Sequence, residues 1–432
     1  MSCHTAIYFK FDEREVDSLF ILPGYVEYYE DNGVIYVSSN LRMNKVKLTD
    51  PEIIDEFRTI VRCGGCPEIS TPLGQFLHDQ ELLINEQEVG QAIEELRSYV
   101  NDSLLLTIMP TEGCNFRCPY CYEDHAPITM RRTVLDEIQK YIAAQAGNFR
   151  HISIGWFGGE PTLCKDVVLE TCTLVKELQR KYAFKYSSSM TTNGYLLNVD
   201  DFERYYNGGI TFFQITLDGW NHDKTRPHVS GKGTLQKILD NLIAISSLPH
   251  DQFQYKIVIR HNILPGDEDY SWYDYLKRTF GNDNRFSVLI RPVCDWGGNS
   301  IHTLDILKGE ALDSLLHKHV EYLKKIAMNC ENEKKNLLSQ ICYASYPNSM
   351  VFRADGKIEK CTICLDHPKN QLGHVDQELG IVLNDVINQL WSGTKLKPEC
   401  YQCKDVLSCL NMHCKMPYVI NGVDSSKCPR SS

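Results

Sequence analysis

Three observations predict an α/β chain with a parallel sheet and outer helices at its centre, a small α+β module before it and a cysteine-rich module after it. Strand-like and helical segments alternate between residues 101 and 298. Three cysteines, Cys114, Cys118 and Cys121, follow the first of those strands, and nine of the 18 cysteines lie at or beyond residue 330. In a sheet of this type chemistry belongs at the carboxyl ends of the strands.

The elements follow in order. Residues 1–100 mix short alternating runs such as "GVIYVSSN" with helical ones such as "DPEIIDEFRTIV" and "QEVGQAIEELRSYV", where apolar residues recur at three and four, so a small α+β module is expected. From 101 to 300 the strands are "SLLLTIMP", "HISIGWFGG", "KYSSSMTTNG", "TFFQITLDG", "QYKIVIRHNI" and "RFSVLIRPV", read as buried runs. Helices alternate with them, and Leu235, Ile238, Leu239, Leu242 and Ile245 make one apolar stripe. Six such units imply a parallel sheet, open or closed into a barrel. A helical bridge is assigned to 301–335 and the cysteine-rich module to 336–432.

Composition bounds the function. The 432 residues are 43% hydrophobic and 23% charged, enough for two or three domains with real cores. A net charge of -11 without a dense Lys/Arg block argues against a nucleic-acid partner. No apolar run reaches the length of a membrane span, and the start, "MSCHTAIYFKFDEREVDS", lacks a basic n-region and an apolar h-region, so a cytoplasmic protein is expected. In a reducing compartment grouped thiols serve as thiolate ligands, most often of iron-sulfur clusters or zinc.

The spacing of the first group narrows that choice. Zinc closes with four ligands, whereas "CNFRCPYC" supplies three and has no histidine at ligand spacing. A cubane with three thiolates keeps one iron open. C-x3-C-x2-C resembles the radical S-adenosylmethionine (SAM) enzymes, whose loop holds a [4Fe-4S] cluster and leaves the fourth iron to the amino and carboxyl groups of the cofactor. The resemblance implies a partial (β/α)6 TIM-like barrel and further site residues in order. Tyr120 would pack on the adenine. "GGEP" (Gly158, Gly159, Glu160, Pro161) would meet the methionine ammonium, a charge-assisted pair for Glu160. Asn193 of "TTNG" and Thr216 of "TLDG" would touch the carboxylate and ribose. Arg226 in "HDKTRPHVSGKGT" matches H-D-x-x-R and is a candidate cofactor or substrate contact, a solvated arginine being the plainer alternative.

The tail carries a second pattern. Cys342, Gly356 and Cys361 give C-x13-G-x4-C, then Cys400, Cys403, Cys409 and Cys414 give C-x2-C-x5-C-x4-C, and Cys428 follows. This resembles the SPASM auxiliary-cluster domain, with one departure: four residues, "LNMH", separate Cys409 from Cys414 where the family usually has three. The resemblance implies one auxiliary cluster on Cys400, Cys403, Cys409 and Cys428. A second would sit on Cys342, Cys361 and Cys414, its fourth ligand being Cys330, Cys364 or a substrate thiolate. Zinc-ribbon use of the C-x2-C pairs is the alternative. Three [4Fe-4S] clusters and SAM are therefore the expected cofactors.

Other cysteines receive plainer readings. Cys172 sits on a helical stripe as a small hydrophobe, and "CGGC" at Cys63 and Cys66 is assigned no role. "RPVCDWGG" places Cys294 and Asp295 at the rim, with Asp295 the candidate base or else a solvated turn residue. The first hundred residues loosely resemble the winged-helix modules that recognise leader peptides by adding a strand. The function implied is a peptide maturase that oxidatively forms a thioether or carbon-carbon crosslink in a ribosomally made, Cys-containing precursor peptide, served by a low-potential donor such as flavodoxin or ferredoxin. A sulfatase maturase forming formylglycine is the nearest rival, and a non-enzymatic metal-binding scaffold the third.

Overall fold

The computed structural model describes residues 20–21, 26–31, 33–39, 45–63, 69–333, 341–393, 395–397, 400 and 406–423. The chain divides into two units: 1–98 with 335–341 and 395–411, and 99–334 with 342–394 and 412–432.

The first unit is α+β. Strands β1 (Phe20–Ile21), β2 (Val26–Asp31), β3 (Val34–Ser39) and β4 (Lys45–Leu48) precede helices α1 (Pro51–Cys63) and α2 (Pro72–Asp79), then β5 (Ile84–Asn85) and α3 (Glu86–Asn101), most of which belongs to this unit. β2, β3 and β4 form an antiparallel sheet with Tyr28 opposite Val37 and Ile35 opposite Leu48, while β1 pairs with β5. Helix α1 buries Ile54, Phe57 and Ile60, a stripe of spacing three. Thr71 caps α2, its hydroxyl accepting from Gly74 N at 3.0 Å, with Pro72 in the first turn where its missing N–H costs nothing.

The second unit is built on one sheet. Strands β6 (Ser103–Ile108), β7 (His151–Trp156), β8 (Lys185–Thr192), β9 (Ile210–Thr216), β10 (Lys256–Ile263) and β11 (Phe286–Pro292) lie side by side in chain order, all parallel. Their helices are α4 (Arg132–Gln145), α5 (Lys165–Tyr182), α6 (Val199–Asn207), α7 (His222–Thr225), α8 (Leu235–Ser246) and α9 (Ser271–Phe280). Helix α10 (Glu310–Lys325) occupies the expected bridge. All six strands anticipated from the sequence form. β11 ends the sheet without pairing to β6, so the α/β barrel is partial.

The free side of β6 is taken by β12 (Ser349–Phe352), which runs parallel to it with Phe352 opposite Ile108. The antiparallel strands β13 (Lys357–Glu359), β14 (Gln371–Asp376) and β15 (Gly380–Leu383) extend the sheet, and α11 (Asp385–Ser392) and α13 (Met416–Val419) complete this unit. The short helix α12 (Val406–Cys409) falls in the first unit.

Two barrel strands, β7 and β8, differ from the buried runs expected of them, whereas β10 is such a run, with all but Lys256 and Arg260 buried. In β7, Ile152, Ile154 and Trp156 are buried in the core shared with Val134, Ile138 and Val168, while the alternate positions are His151, Ser153 and Gly155. β8 alternates likewise, with Ser188, Met190 and Thr192 buried. The reason is the interior: it encloses a cavity, so one face of β7 and of β8 packs under helices and the other carries small or polar groups.

Candidate functional site

A cavity of about 620 Å³ opens at the carboxyl ends of β6 to β11. Cys114, Cys118 and Cys121 line it together with Tyr120, Gly158, Gly159, Glu160, Asn193, Thr216 and Arg226. These are the residues that the sequence assigned to a cluster and its cofactor, apart from Pro161, which is buried in the turn behind Glu160.

The loop bearing the three thiols is held by backbone. Glu112 N donates to Ile128 O at 2.9 Å, Arg117 N to Pro227 O at 2.8 Å and Val229 N to Asn115 O at 2.9 Å, and Phe116 bridges to His228. Burial pushes the Cys114 and Cys121 thiols up to about 12 and raises Cys118 as well, while the Arg226 guanidinium beside Cys118 opposes the shift. A cation that replaces the protons is thus required to make them thiolates at neutral pH. Among the described residues no three His, Cys, Asp or Glu gather around a single ion position. A cubane does not ask for that, since each cysteine binds a different iron.

Gly158 and Gly159 have a definite steric cause. A Cβ on Gly158, whose φ is +105°, would sit 2.4 Å from Thr111 O, and one on Gly159 would sit 2.3 Å from Gly113 O. The two glycines let the end of β7 lie on the cysteine loop, where Gly159 N donates to Thr111 O and Glu160 N to Gly113 O. Glu160 is 1% exposed. Its Oε1 accepts from Thr162 N, the Thr162 hydroxyl and the Thr192 hydroxyl, and its Oε2 from Asn193 N at 2.7 Å. Oε2 retains a lone pair for a cationic donor from the cavity. Asn193 Nδ2 donates to Asn115 Oδ1 at 2.7 Å, tying the end of β8 to the same loop.

Tyr120 lies in a polar knot. Its hydroxyl donates to Asp218 Oδ2 and accepts from Arg226 Nη1 at 2.8 Å and Asn262 Nδ2 at 3.1 Å. Arg226 is buried over the Phe116 ring, and its Nε has no protein partner among the described residues. Here the solvated arginine is excluded: the side chain is 8% exposed and faces the thiols.

A second group of thiols collects beside this cavity. Cys342 and Cys414 share one hydrogen bond and Cys361 and Cys364 another, and Cys342 lies within electrostatic reach of Cys361. In each pair the accepting sulfur, Cys361 or Cys414, is shifted toward thiolate and its donor away from it. Asn370 fixes the turn, accepting from Cys361 N at 2.8 Å and donating to the carbonyls of Cys361 and Cys364. Lys360 is fully buried beside it, lowered to about 7 by burial, with Nζ on Tyr346 O, Ser349 O and Asn388 Oδ1. Thr362 and Ile363, between Cys361 and Cys364, line the main cavity, and the Thr362 hydroxyl bonds both Tyr122 and Tyr343.

Other expectations separate. Cys330 stands at the opposite edge of the sheet, bridged to Val288 of β11, with its thiol on Asn332 Oδ1 at 3.6 Å. Cys400 and Cys409 belong to the first unit, and Cys403, Cys428 and Cys66 lie outside the described residues. Cys172 is fully buried and Cys63 is exposed at the end of α1. Cys294 and Trp296 line the cavity, but Asp295 between them turns its carboxylate back onto Gly297 N at 2.9 Å. Sequence reasoning missed Glu123, a cavity-lining carboxyl raised to about 7 by burial and by Glu112, with one oxygen unpartnered. It also missed Arg260 and Arg291 on the opposite wall. Only their positions at strand ends could have marked them.

Residues 108–278 match the Radical SAM superfamily. A GTP 3',8-cyclase of Stenotrophomonas maltophilia is 29% identical over 201 residues, 46% of this chain and 57% of that protein. A serine-type anaerobic sulfatase-maturating enzyme of Klebsiella aerogenes is 31% identical over 189 residues, 41% of this chain and 44% of its own length. The chain thus spans about half the length of the curated relatives it matches. Among solved structures, that of anSMEcpe with bound AdoMet is similar in fold, at a TM-score of 0.50 and 21% identity over 72% of this chain and 89% of the other. A thiol loop after the first barrel strand, a glycine turn against it and a cavity at the strand ends accord with the match of residues 108–278 to the Radical SAM superfamily, which implies a [4Fe-4S] cluster and SAM.

Proposed function

We propose that this radical SAM enzyme oxidises a peptide, joining a cysteine of a ribosomally made precursor to a carbon of another residue by a thioether, or forming a carbon-carbon bond. The observation that carries the reading is the second thiol group: the turn between Cys361 and Cys364 forms part of the wall of the cavity that holds Cys114, Cys118 and Cys121. An oxidative reaction must dispose of an electron from the substrate, and a second cluster at the cavity wall is a place for it.

Cys114, Cys118 and Cys121 would hold the SAM-binding cluster, with Glu160 Oε2 toward the ammonium and Tyr120 toward the adenine. When bound, cluster and cofactor supply a 5'-deoxyadenosyl radical that abstracts hydrogen from carbon. The chain's own part is to fix them and exclude water. Cys342, Cys361, Cys364 and Cys414 would hold an auxiliary cluster closed by protein thiols, so a substrate sulfur is not required as its fourth ligand. Burial disfavours the charge of Lys360 and the neighbouring Cys342 favours it, so such a cluster would help to hold the ammonium form. Cys400, Cys403, Cys409 and Cys428 remain the proposed ligands of the other. The antiparallel sheet of the first unit would receive the leader as an added strand, and flavodoxin or ferredoxin would deliver electrons. Among the described residues no helix is long and apolar enough to cross a membrane.

Similarity to a sulfatase-maturating enzyme keeps formylglycine formation as a second reading. The test is the reconstituted full chain with SAM, reductant and a cysteine-containing precursor encoded beside its gene. Loss of two hydrogens per link with a cysteine that resists alkylation supports the thioether. Loss with every cysteine alkylatable gives the carbon-carbon bond, an aldehyde gives the rival, and an unmodified peptide despite cofactor cleavage refutes peptide crosslinking.

A further inference from the structure

Arg260 and Arg291 are the cavity's unclaimed cations. They lie on neighbouring parallel strands, β10 and β11, where Arg291 is opposite Asn262, and both line the cavity. Arg260 Nε donates to Asn262 Oδ1 at 2.8 Å. Beyond that bond neither guanidinium has a hydrogen bond or ion pair among the described residues, and each charge disfavours the other. Of the nearby carboxylates two are already engaged, and Glu123, raised to about 7 by burial and by Glu112, makes no ion pair with either arginine among the described residues. Asp218 accepts from Tyr120, Thr225 and Asn262, and Glu160 from Thr162, Thr192 and Asn193. Arg260 is half-buried and Arg291 is exposed at the end of the next strand, and together the two guanidinium groups present planar forks suited to a carboxylate.

We propose that Arg260 and Arg291 bind a carboxylate of the substrate, making an acidic residue or a free C-terminus near the reacting carbon a condition of recognition. The inference rests on the peptide reading above and narrows it. The cofactor's own carboxylate is a poor occupant. It belongs with the thiols and the ends of β7 to β9; Thr216 of β9 is opposite Arg260, but β9 is two strands from β11, roughly 10 Å at ordinary strand spacing, so Arg291 is the arginine that sets the substrate site apart. Trp296 and Val293, beside Arg291 on the same wall, supply the apolar surface against which a peptide side chain would lie.

The test is calorimetric titration of the full chain, reconstituted with iron and sulfide and saturated with SAM. Three probes are used: N-acetyl-Ala-Glu-Ala amide, with a side-chain carboxylate only; N-acetyl-Ala-Gln-Ala as the free acid, with a terminal carboxylate only; and N-acetyl-Ala-Gln-Ala amide, with neither. At least one acidic probe should bind about tenfold tighter than the neutral one, as a charge-assisted bidentate contact allows, and which one does so identifies the source. R260Q and R291Q should each bring that preference to within about twofold, while R260K and R291K, at unchanged iron content, retain part of it. Equal binding of all three, or none detectable, overturns the proposal. So does inorganic pyrophosphate binding tenfold tighter than either acidic probe, which would mark a nucleotide site, or a preference that vanishes when SAM is present, which would give the arginines to the cofactor. Because binding needs no turnover, failure of the crosslinking reading would leave this result separately readable.

Discussion

Replacing Arg353 by methionine should cost the protein about 3–5 kcal/mol and the first thiol loop its anchorage. Arg353 Nε and Nη2 donate to the two oxygens of Glu112 at 2.9 and 2.7 Å, and Nη1 reaches Glu359 at 3.2 Å and Asp366 at 2.7 Å. The side chains of Arg353, Glu112 and Glu359 are 7%, 9% and 0% exposed. Glu359 would keep Asn370 Nδ2 and Asp366 N as donors, but Glu112 has no other side-chain hydrogen bond among the described residues and would be left as a buried, unpaired charge. At an m value of about 3 kcal/mol per molar, the urea midpoint should fall by about 1 M or more, followed anaerobically by near-ultraviolet circular dichroism. The double variant E112L/R353M should recover part of the loss, because it leaves no stranded Glu112, while Glu359 loses its cation but keeps two neutral donors. A midpoint for R353M within about 0.2 M of wild type would refute this account, as would a double variant no better than the single one.

Two further outcomes are expected. C364A should lower the iron content by about four per chain while C330A leaves it unchanged, measured with sulfide and electron paramagnetic resonance after reconstitution; the reverse would move the fourth ligand to the far edge of the sheet. Burial lowers His222 and His319 from 6.5 to about 4, so each native imidazole rejects a proton that the unfolded chain accepts. Their contribution is full above pH 6.5 and is lost as pH falls toward 4, about 3 kcal/mol for each. H319Q should therefore flatten the acid limb of the stability curve, and an unchanged slope would exclude the buried neutral form.

What the sequence disclosed and what it withheld divide by range. The six strands were legible because their signal is local, in apolar runs bounded by turns, and the thiol loop was legible because all three ligands fall within eight positions. "GGEP" was legible as a site but not in its steric cause. Its glycines answer to the backbone of Thr111 and Gly113, a contact 45 or more residues away along the chain. Asp295 shows the ambiguity of a local signal: its position after a strand suggested the rim, yet Asp-Trp-Gly is also a turn signal, and one of its carboxylate oxygens accepts from Gly297 N in that turn. Cys364 was visible in "CTIC", but that it lies beside Cys361 while Cys330 stands at the β11 edge could not be read from the sequence, because it depends on which part of the sheet each cysteine reaches.

The docking of β12 onto β6 explains how one side chain can serve both thiol groups. Parallel pairing with Phe352 opposite Ile108 brings the next residue, Arg353, to the carboxyl end of the sheet, where the segment leading to Cys114 begins. Glu112 stands two residues before Cys114, Glu359 two before Cys361, and Asp366 two after Cys364, and all three meet the same guanidinium. A lysine could carry the charge, but a point charge cannot hold one carboxylate bidentately through Nε and Nη2 while Nη1 holds two others in the same plane. The fork therefore fixes the spacing of the two loops as well as neutralising their acids. If the proposed auxiliary cluster is held there, an electron passing between the centres would depend steeply on that spacing, and the burial of Arg353 would then serve the chemistry of the site as well as the stability of the fold.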